Sequence, residues 1–346
     1  MREKVVKIGN RYIGGGFPIA IQSMCNTKTE NVKETVSQIH RLQEAGCEIV
    51  RVAVPNMLAA EAIKQIKEQI DIPLVADIHF DYRLALKAME NGVDKIRLNP
   101  GNIGSIERVK EVVELAKFKG VPIRIGVNGG SLDKTIYQKF GGVTAQALVE
   151  SALGHVEILE NLNFNDIVIS LKASDIKLTV DSYRLLSQKV DYPLHLGITE
   201  AGTNYTGTIK SAIGIGILLF DGIGSTIRVS LTDDPVEEVK AAKKILEVMD
   251  LRNFGVKLIS CPTCGRTEVD LVRIAKQLEE KVSHMDKPIT LAVMGCAVNG
   301  PGEAKEADLG IAGGKNEFLL FKKGIVIRKL KEDEVIEAVL KEIDSL

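Results

Sequence analysis

The sequence predicts an α/β protein, a (β/α)8 TIM barrel followed by a small α/β domain. Three observations carry this. From Phe17 onward, eight short runs rich in branched aliphatics alternate with eight amphipathic stretches, the count of a closed parallel barrel. The first strand is followed by Cys25-Asn-Thr-Lys28 rather than a glycine-rich nucleotide turn, which disfavours an open doubly wound sheet. Beyond Asn253-Phe-Gly255 the regular alternation stops and a shorter strand–helix pattern begins.

In order, residues 4–8 and 11–13 around Gly9-Asn10 read as a hairpin. Barrel strands are expected at 19–24, 49–54, 74–79, 95–99, 123–128, 166–172, 194–199 and 226–231. Helices are expected at 33–45, 57–69, 81–91, 105–119, 144–161, 175–189, 207–219 and 235–248. Asp81 is a candidate N-cap, and Gly46, Gly92 and Gly120 stand where helices should stop. The most apolar run, 213–220, reads as a buried helix. The second domain should contain a strand at 256–259, a helix at 267–282, a strand at 289–293, short strands within 308–328 and a closing helix from 332. The expected division is a substrate-binding barrel at 1–254 and a cluster-bearing domain at 255–346.

Composition narrows the function classes. The 346 residues are 45% hydrophobic, enough for a large core. A formal net charge of −1 gives no global field toward nucleic acid or anionic lipid. No apolar run approaches the ~20 residues that span a bilayer, so no membrane segment is expected. Five cysteines, an odd number, with a CxxC pair and no secretory-type run, point to a reducing cytoplasm.

Catalytic side chains of such barrels sit at the carboxyl ends of the strands. Here those ends carry polar pairs on one strand face: Asp77 and His79, Arg97 and Asn99, Arg124 and Asn128, Ser170 and Lys172, His195 and Thr199, Arg228 and Ser230. Arg51, Arg97, Arg124, Lys172 and Arg228 come from five strands, against the nearby carboxylates Asp77 and Glu200. That excess predicts a compact, multiply charged anion, a phosphate or diphosphate ester, for which the guanidinium fork is suited. The alternative is that these cations pair with carboxylates elsewhere in the chain. Thr199 opens a loop after the seventh strand, a common place for phosphate contacts. Glu200 is a candidate proton donor or base, or else a capping or ion-paired glutamate.

The second domain carries Cys261-Pro-Thr-Cys264 and, further on, Gly295-Cys-Ala-Val-Asn-Gly-Pro-Gly-Glu303. Three thiols and a carboxylate framed by glycine and proline suggest a metal centre. A lone CxxC leaves zinc and an iron–sulfur cluster both open. The missing fourth sulfur or histidine favours a cluster with one harder ligand. Cys25 and Cys47 read as buried packing residues.

Taken together the chain resembles the 4-hydroxy-3-methylbut-2-enyl diphosphate synthase family. The resemblance rests on Gln22-Ser-Met24, Arg51-Val-Ala-Val-Pro55, Ala76-Asp-Ile-His-Phe80, Ile96-Arg-Leu-Asn-Pro-Gly-Asn102, Arg124-Ile-Gly-Val-Asn128, Ser170-Leu-Lys-Ala-Ser174, His195-Leu-Gly-Ile-Thr-Glu-Ala-Gly202 and Thr226-Ile-Arg-Val-Ser-Leu231. Cys261-Pro-Thr-Cys-Gly-Arg266 and the run from Gly295 to Glu303 complete it. It implies a [4Fe-4S] cluster on Cys261, Cys264, Cys296 and Glu303, and reductive ring opening of 2-C-methyl-D-erythritol 2,4-cyclodiphosphate. It further implies substrate contacts from Arg51, Arg97, Arg124, Asn128, Lys172, Thr199, Arg228, Ser230 and Asn299, with Glu200 as the catalytic residue. Reduced flavodoxin or ferredoxin would supply electrons, and the molecule would be a head-to-tail homodimer. A phosphate-binding iron–sulfur sensor without turnover is the alternative of another class; a zinc-stabilised, pterin-binding type of barrel enzyme is a third.

Overall fold

In the computed structural model of the chain, residues 3–296, 304–315 and 317–346 are described. Two compact units divide it, one ending at Arg252 and the other beginning at Asn253.

The first unit opens with the antiparallel hairpin β1 (Val6–Ile8) and β2 (Arg11–Ile13). Its turn needs the left-handed conformation that Gly9 takes, φ 57°. Val6, Ile8 and Ile13 pack on Ala20, Ile49, Val75 and Val168, which lie near the amino ends of their strands. The hairpin therefore plugs the bottom of the barrel with aliphatic side chains.

The barrel strands are β3 (Ala20–Met24), β4 (Ile49–Ala53), β5 (Leu74–Asp77), β6 (Lys95–Arg97), β7 (Ile123–Asn128), β8 (Ile167–Lys172), β9 (His195–Leu196) and β10 (Thr226–Ile227). They form one parallel sheet in the order β8-β7-β6-β5-β4-β3-β10-β9, and an Ile169–Leu194 bridge joins its two ends. The last two strands keep only two ladder residues each, because the chain leaves the ladder at their polar carboxyl ends.

Around the barrel lie α1 (Val32–Ala45), α2 (Met57–Lys67), α3 (Tyr82–Glu90), α4 (Ile106–Lys119), α5 (Lys134–Phe140), α6 (Ala145–Asn161), α7 (Ile176–Ser187), α8 (Asn204–Phe220) and α9 (Pro235–Val248). Asp81 caps α3 as expected, accepting from the Arg83 N–H at 3.0 Å. Gly46 and Gly120 stop α1 and α4 with positive φ.

Two expectations are corrected. The loop after β7 carries the extra helix α5, which buries no residue and so gives no periodic apolar signal. The run 213–220 is not wholly buried: Ile213, Ile217 and Phe220 face outward while Ile215, Leu218 and Leu219 face the core.

The second unit is a five-stranded mixed sheet in the order β11 (Lys257–Ser260), β12 (Thr290–Met294), β13 (Leu309–Gly314), β14 (Glu317–Lys322), β15 (Ile325–Leu330). β11, β12 and β13 are parallel, and the rest antiparallel. α10 (Leu271–Val282) and α11 (Val335–Asp344) bury Ile274, Leu278, Val339 and Ile343 in a core with Leu291, Val293 and Ile311.

Candidate active site

The carboxyl ends of the barrel strands surround a cavity of about 240 Å³. Its walls are Arg51, Asp77, His79, Arg97, Arg124, Gly126, Asn128, Ser170, Lys172, Thr199, Arg228 and Ser230. Eight of the nine residues expected to bind substrate are thus brought together. The ninth, Asn299, lies outside the described residues, as does Glu303.

Period-two alternation explains the convergence. Positions such as Arg97 on β6 and Ser170 and Lys172 on β8 turn inward, and a closed barrel aims every such position at its axis. Room for the long cations comes from glycine. A Cβ on Gly126 would stand 2.7 Å from Arg97 Nε, and one on Gly197 would stand 3.0 Å from Lys172 Nζ. Arg97 lies across Gly126 and donates to its carbonyl at 2.8 Å, and Asn99 clamps both backbone groups of Gly126.

Five cations face the cavity, and two carboxylates hold three of them. Asp77 lies 3.6 Å from Arg51 Nε and 3.4 Å from Arg97 Nη1. Burial alone would raise the Asp77 carboxyl, but Arg51, Arg97 and Arg124 outweigh it and hold it below its ordinary range. The second carboxylate is Glu238 of α9. Buried behind the barrel wall, it accepts from Arg228 Nη2 at 3.2 Å, from the Ser23 hydroxyl at 3.0 Å and from the Leu231 N–H at 3.1 Å. This carboxylate escaped the sequence reading. Its signal was ambiguous, since Glu237-Glu238 also suits the positive first turn of a helix.

The remaining charges are unbalanced. Arg124 is buried and donates to Ser170 Oγ at 2.6 Å, while its Nε and Nη2 have no partner among the described residues. Burial pushes the Lys172 ammonium well below its ordinary range, and Arg124, Arg51, Arg228 and Arg97 push it further. Unsatisfied buried donors cost roughly 1–3 kcal/mol each, so this cup is built to be filled by acceptor oxygens.

Glu200 does not line the cavity. It is exposed at the end of the β9 segment, next to Thr199, and holds a left-handed backbone, φ 52°, which a non-glycine residue adopts at some strain.

In the second unit, Cys261 immediately follows β11 and Cys296 lies two residues past the neighbouring parallel strand β12. Gly295 N–H donates to Cys261 Sγ at 3.2 Å. The CxxC turn is closed by Thr267, which donates its N–H to the Cys264 carbonyl and accepts the Cys264 N–H. Hydrogen bonds from the Arg266 backbone and side chain lower the exposed Cys264 thiol below its ordinary value. Three thiols in the segments that follow two neighbouring parallel strands, with Cys261 and Cys264 already receiving hydrogen bonds, fit a soft-metal or iron–sulfur group by donor chemistry. Among the described residues no three Cys, His, Asp or Glu side chains close on one point as a ready-made ion cage.

Comparison with known proteins adds the following. The family profile of the GcpE TIM-barrel domain matches residues 3–243, and that of the GcpE protein C-terminal domain matches residues 257–345. A protein of Caldanaerobacter subterraneus subsp. tengcongensis named 4-hydroxy-3-methylbut-2-en-1-yl diphosphate synthase (flavodoxin) is 62% identical, over 99% of this chain and 96% of its own. Proteins of the same name from Clostridium perfringens and Geobacillus kaustophilus are 62% and 59% identical, over 99% and 100% of this chain and 98% and 92% of theirs. Among solved structures, dihydropteroate synthases from Stenotrophomonas maltophilia and Yersinia pestis superpose with TM-scores of 0.52 and 0.51, at 13% and 12% identity. Each superposition covers 71% of this chain and 97% of the other, and at such identity it speaks to the barrel fold alone.

Proposed function

The chain belongs to the GcpE family, and from that premise we infer that it catalyses reductive ring opening of 2-C-methyl-D-erythritol 2,4-cyclodiphosphate to 4-hydroxy-3-methylbut-2-enyl diphosphate. The balance is two electrons and two protons consumed, one ring carbon–oxygen bond broken and one hydroxyl lost as water. The observation that carries the reading is the cavity of five cations with too few carboxylates.

In this reading Arg51, Arg97, Arg124, Lys172 and Arg228 neutralise the diphosphate, and Asn128, Thr199 and Ser230 hydrogen-bond its oxygens. Asp77 keeps the Arg51 and Arg97 forks oriented, and Glu238 does the same for Arg228. Glu200, on its strained backbone next to the lining residue Thr199, delivers one of the two protons, and solvent supplies the other. Cys261, Cys264, Cys296 and Glu303 hold a [4Fe-4S] cluster, which when bound supplies the two electrons. Asn299 completes the substrate contacts. The donor is reduced flavodoxin or ferredoxin; the relatives' name specifies flavodoxin.

The barrel is the substrate domain and the second unit the cluster domain. The reading extends to a head-to-tail homodimer in the cytoplasm; self-association is supported by the exposed apolar stripe of α8, Tyr205, Ile209, Ile213, Ile217 and Phe220.

Anaerobic turnover with the cyclic diphosphate and reduced flavodoxin tests the activity. Iron and acid-labile sulfide should each approach about four per chain. Stoichiometric zinc without sulfide, together with no product, would sink the reading.

A further inference from the structure

Beneath the cup the barrel interior is polar where aliphatic layers are usual. Lys95 is fully buried there, and the one hydrogen bond its ammonium makes among the described residues runs to Gln22 Oε1 at 3.3 Å. No carboxylate reaches it among the described residues. Gln22 Nε2 and His195 Nε2 likewise have no partner among the described residues, and His195 Nδ1 meets Thr226 Oγ1 at 2.8 Å. From the surrounding strands Lys95 faces Gln22 of β3, Arg51 of β4, Arg124 of β7 and His195 of β9, with Asp77 of β5 one level above. Its Cα stands two residues, ~7 Å, below that of Arg97.

A buried ammonium flanked by two guanidiniums and no counter-charge is unstable as an ion. A polyanion in the mouth reverses that field. We propose that Lys95 is a positioning residue of the anion site: neutral while the mouth is empty, it takes up a solvent proton when a diphosphate binds above it. The added charge then strengthens the grip on the anion from below. Burial, followed by Arg124 and Arg51, pushes the Lys95 amine well below its ordinary range, in agreement with the geometry.

The inference rests on the anion-binding reading of the cup, and its test separates the two. Inorganic pyrophosphate is titrated calorimetrically into full-length, anaerobically prepared holoenzyme in two buffers of different ionisation enthalpy. The wild type should take up close to one more proton than Lys95→Met, whose affinity should fall about tenfold. The ligand's own protonation is common to both proteins and cancels in the difference. Lys95→Gln, which stays polar, should behave like Lys95→Met. Ligand-free Lys95→Met should also be the more heat-stable protein, by a margin that widens from about pH 9 to about pH 7. The sign follows because a lysine depressed by folding binds fewer protons than in the unfolded chain, so the wild type loses stability as pH falls. Equal proton uptake in wild type and variants, or lower stability of Lys95→Met at every pH, would overturn the role of Lys95 alone. Failure of the wild type to bind pyrophosphate would overturn the cup reading as well.

Discussion

Arg228 shows how a side chain becomes useful only through one that sequence pattern does not pair with it. Its guanidinium is held by Glu238 through Nε and Nη2 at 3.2–3.3 Å, and the same carboxylate ties down Ser23 and Leu231. Glu238→Gln keeps the shape and removes the charge, so Arg228 loses its fixed orientation. We expect KM for the cyclic diphosphate to rise about tenfold or more with a smaller change in kcat; an unchanged KM would mean that Arg228 does not bind substrate. Asp77 has the opposite exposure to pH. Its carboxyl is held low by Arg51, Arg97 and Arg124, so its stabilisation is present above the unfolded value and lost as pH falls through the folded one. Asp77→Asn should therefore melt earlier than wild type at neutral pH, with the difference closing below about pH 4. A difference that persists in acid would mean that packing, not charge, is what Asp77 supplies. These cation positions could be read from the strand ends because period two fixes which residues turn inward. Glu238 could not, because its link to Arg228 is tertiary.

At the level of elements, the helices differ in what their apolar residues reveal. In α1 the buried positions Val36, Ile39 and Leu42 form one stripe, so periodicity locates the helix directly. In α8 apolar residues occur all round, and hydropathy alone suggests full burial. The barrel instead leaves Tyr205, Ile209, Ile213 and Ile217, spaced by four, and then Phe220 on the solvent side. A contiguous exposed apolar stripe of this kind suits an interaction surface. If the proposed homodimer uses this face, Ile213→Glu should shift the sedimentation profile from dimer toward monomer while the far-ultraviolet circular dichroism stays unchanged. A dimer that survives with wild-type affinity would place its interface elsewhere. α5 escaped recognition for the complementary reason that, burying nothing, it leaves no apolar period to read.

Across the whole molecule, the two units have separate cores. The barrel core begins at the Val6, Ile8 and Ile13 plug, whereas the second unit has its own core around Leu278, Val293 and Ile311. Alternation of strand and helix made the barrel legible, and the CxxC spacing pointed to a candidate metal centre in the second unit. What no local pattern announces is the energetic state of the empty cup, since that depends on five side chains drawn from five strands. Crowding those cations destabilises the ligand-free barrel, so a polyphosphate should stabilise it beyond ordinary salt. At a hundredfold excess over Kd, pyrophosphate should add about 2.7 kcal/mol to the barrel's unfolding free energy. The gain should shrink as ionic strength rises. On the proposed ligation by the second unit's cysteines, removing iron should instead lower the stability of that unit, because thiolate–metal bonds would contribute folding energy there. Differential scanning calorimetry of holo, iron-free and pyrophosphate-bound protein tests this division. Two separately responding transitions are expected. A single transition moved equally by both treatments would mean that the units unfold as one, so that the cup's charge strain is borne by the entire chain.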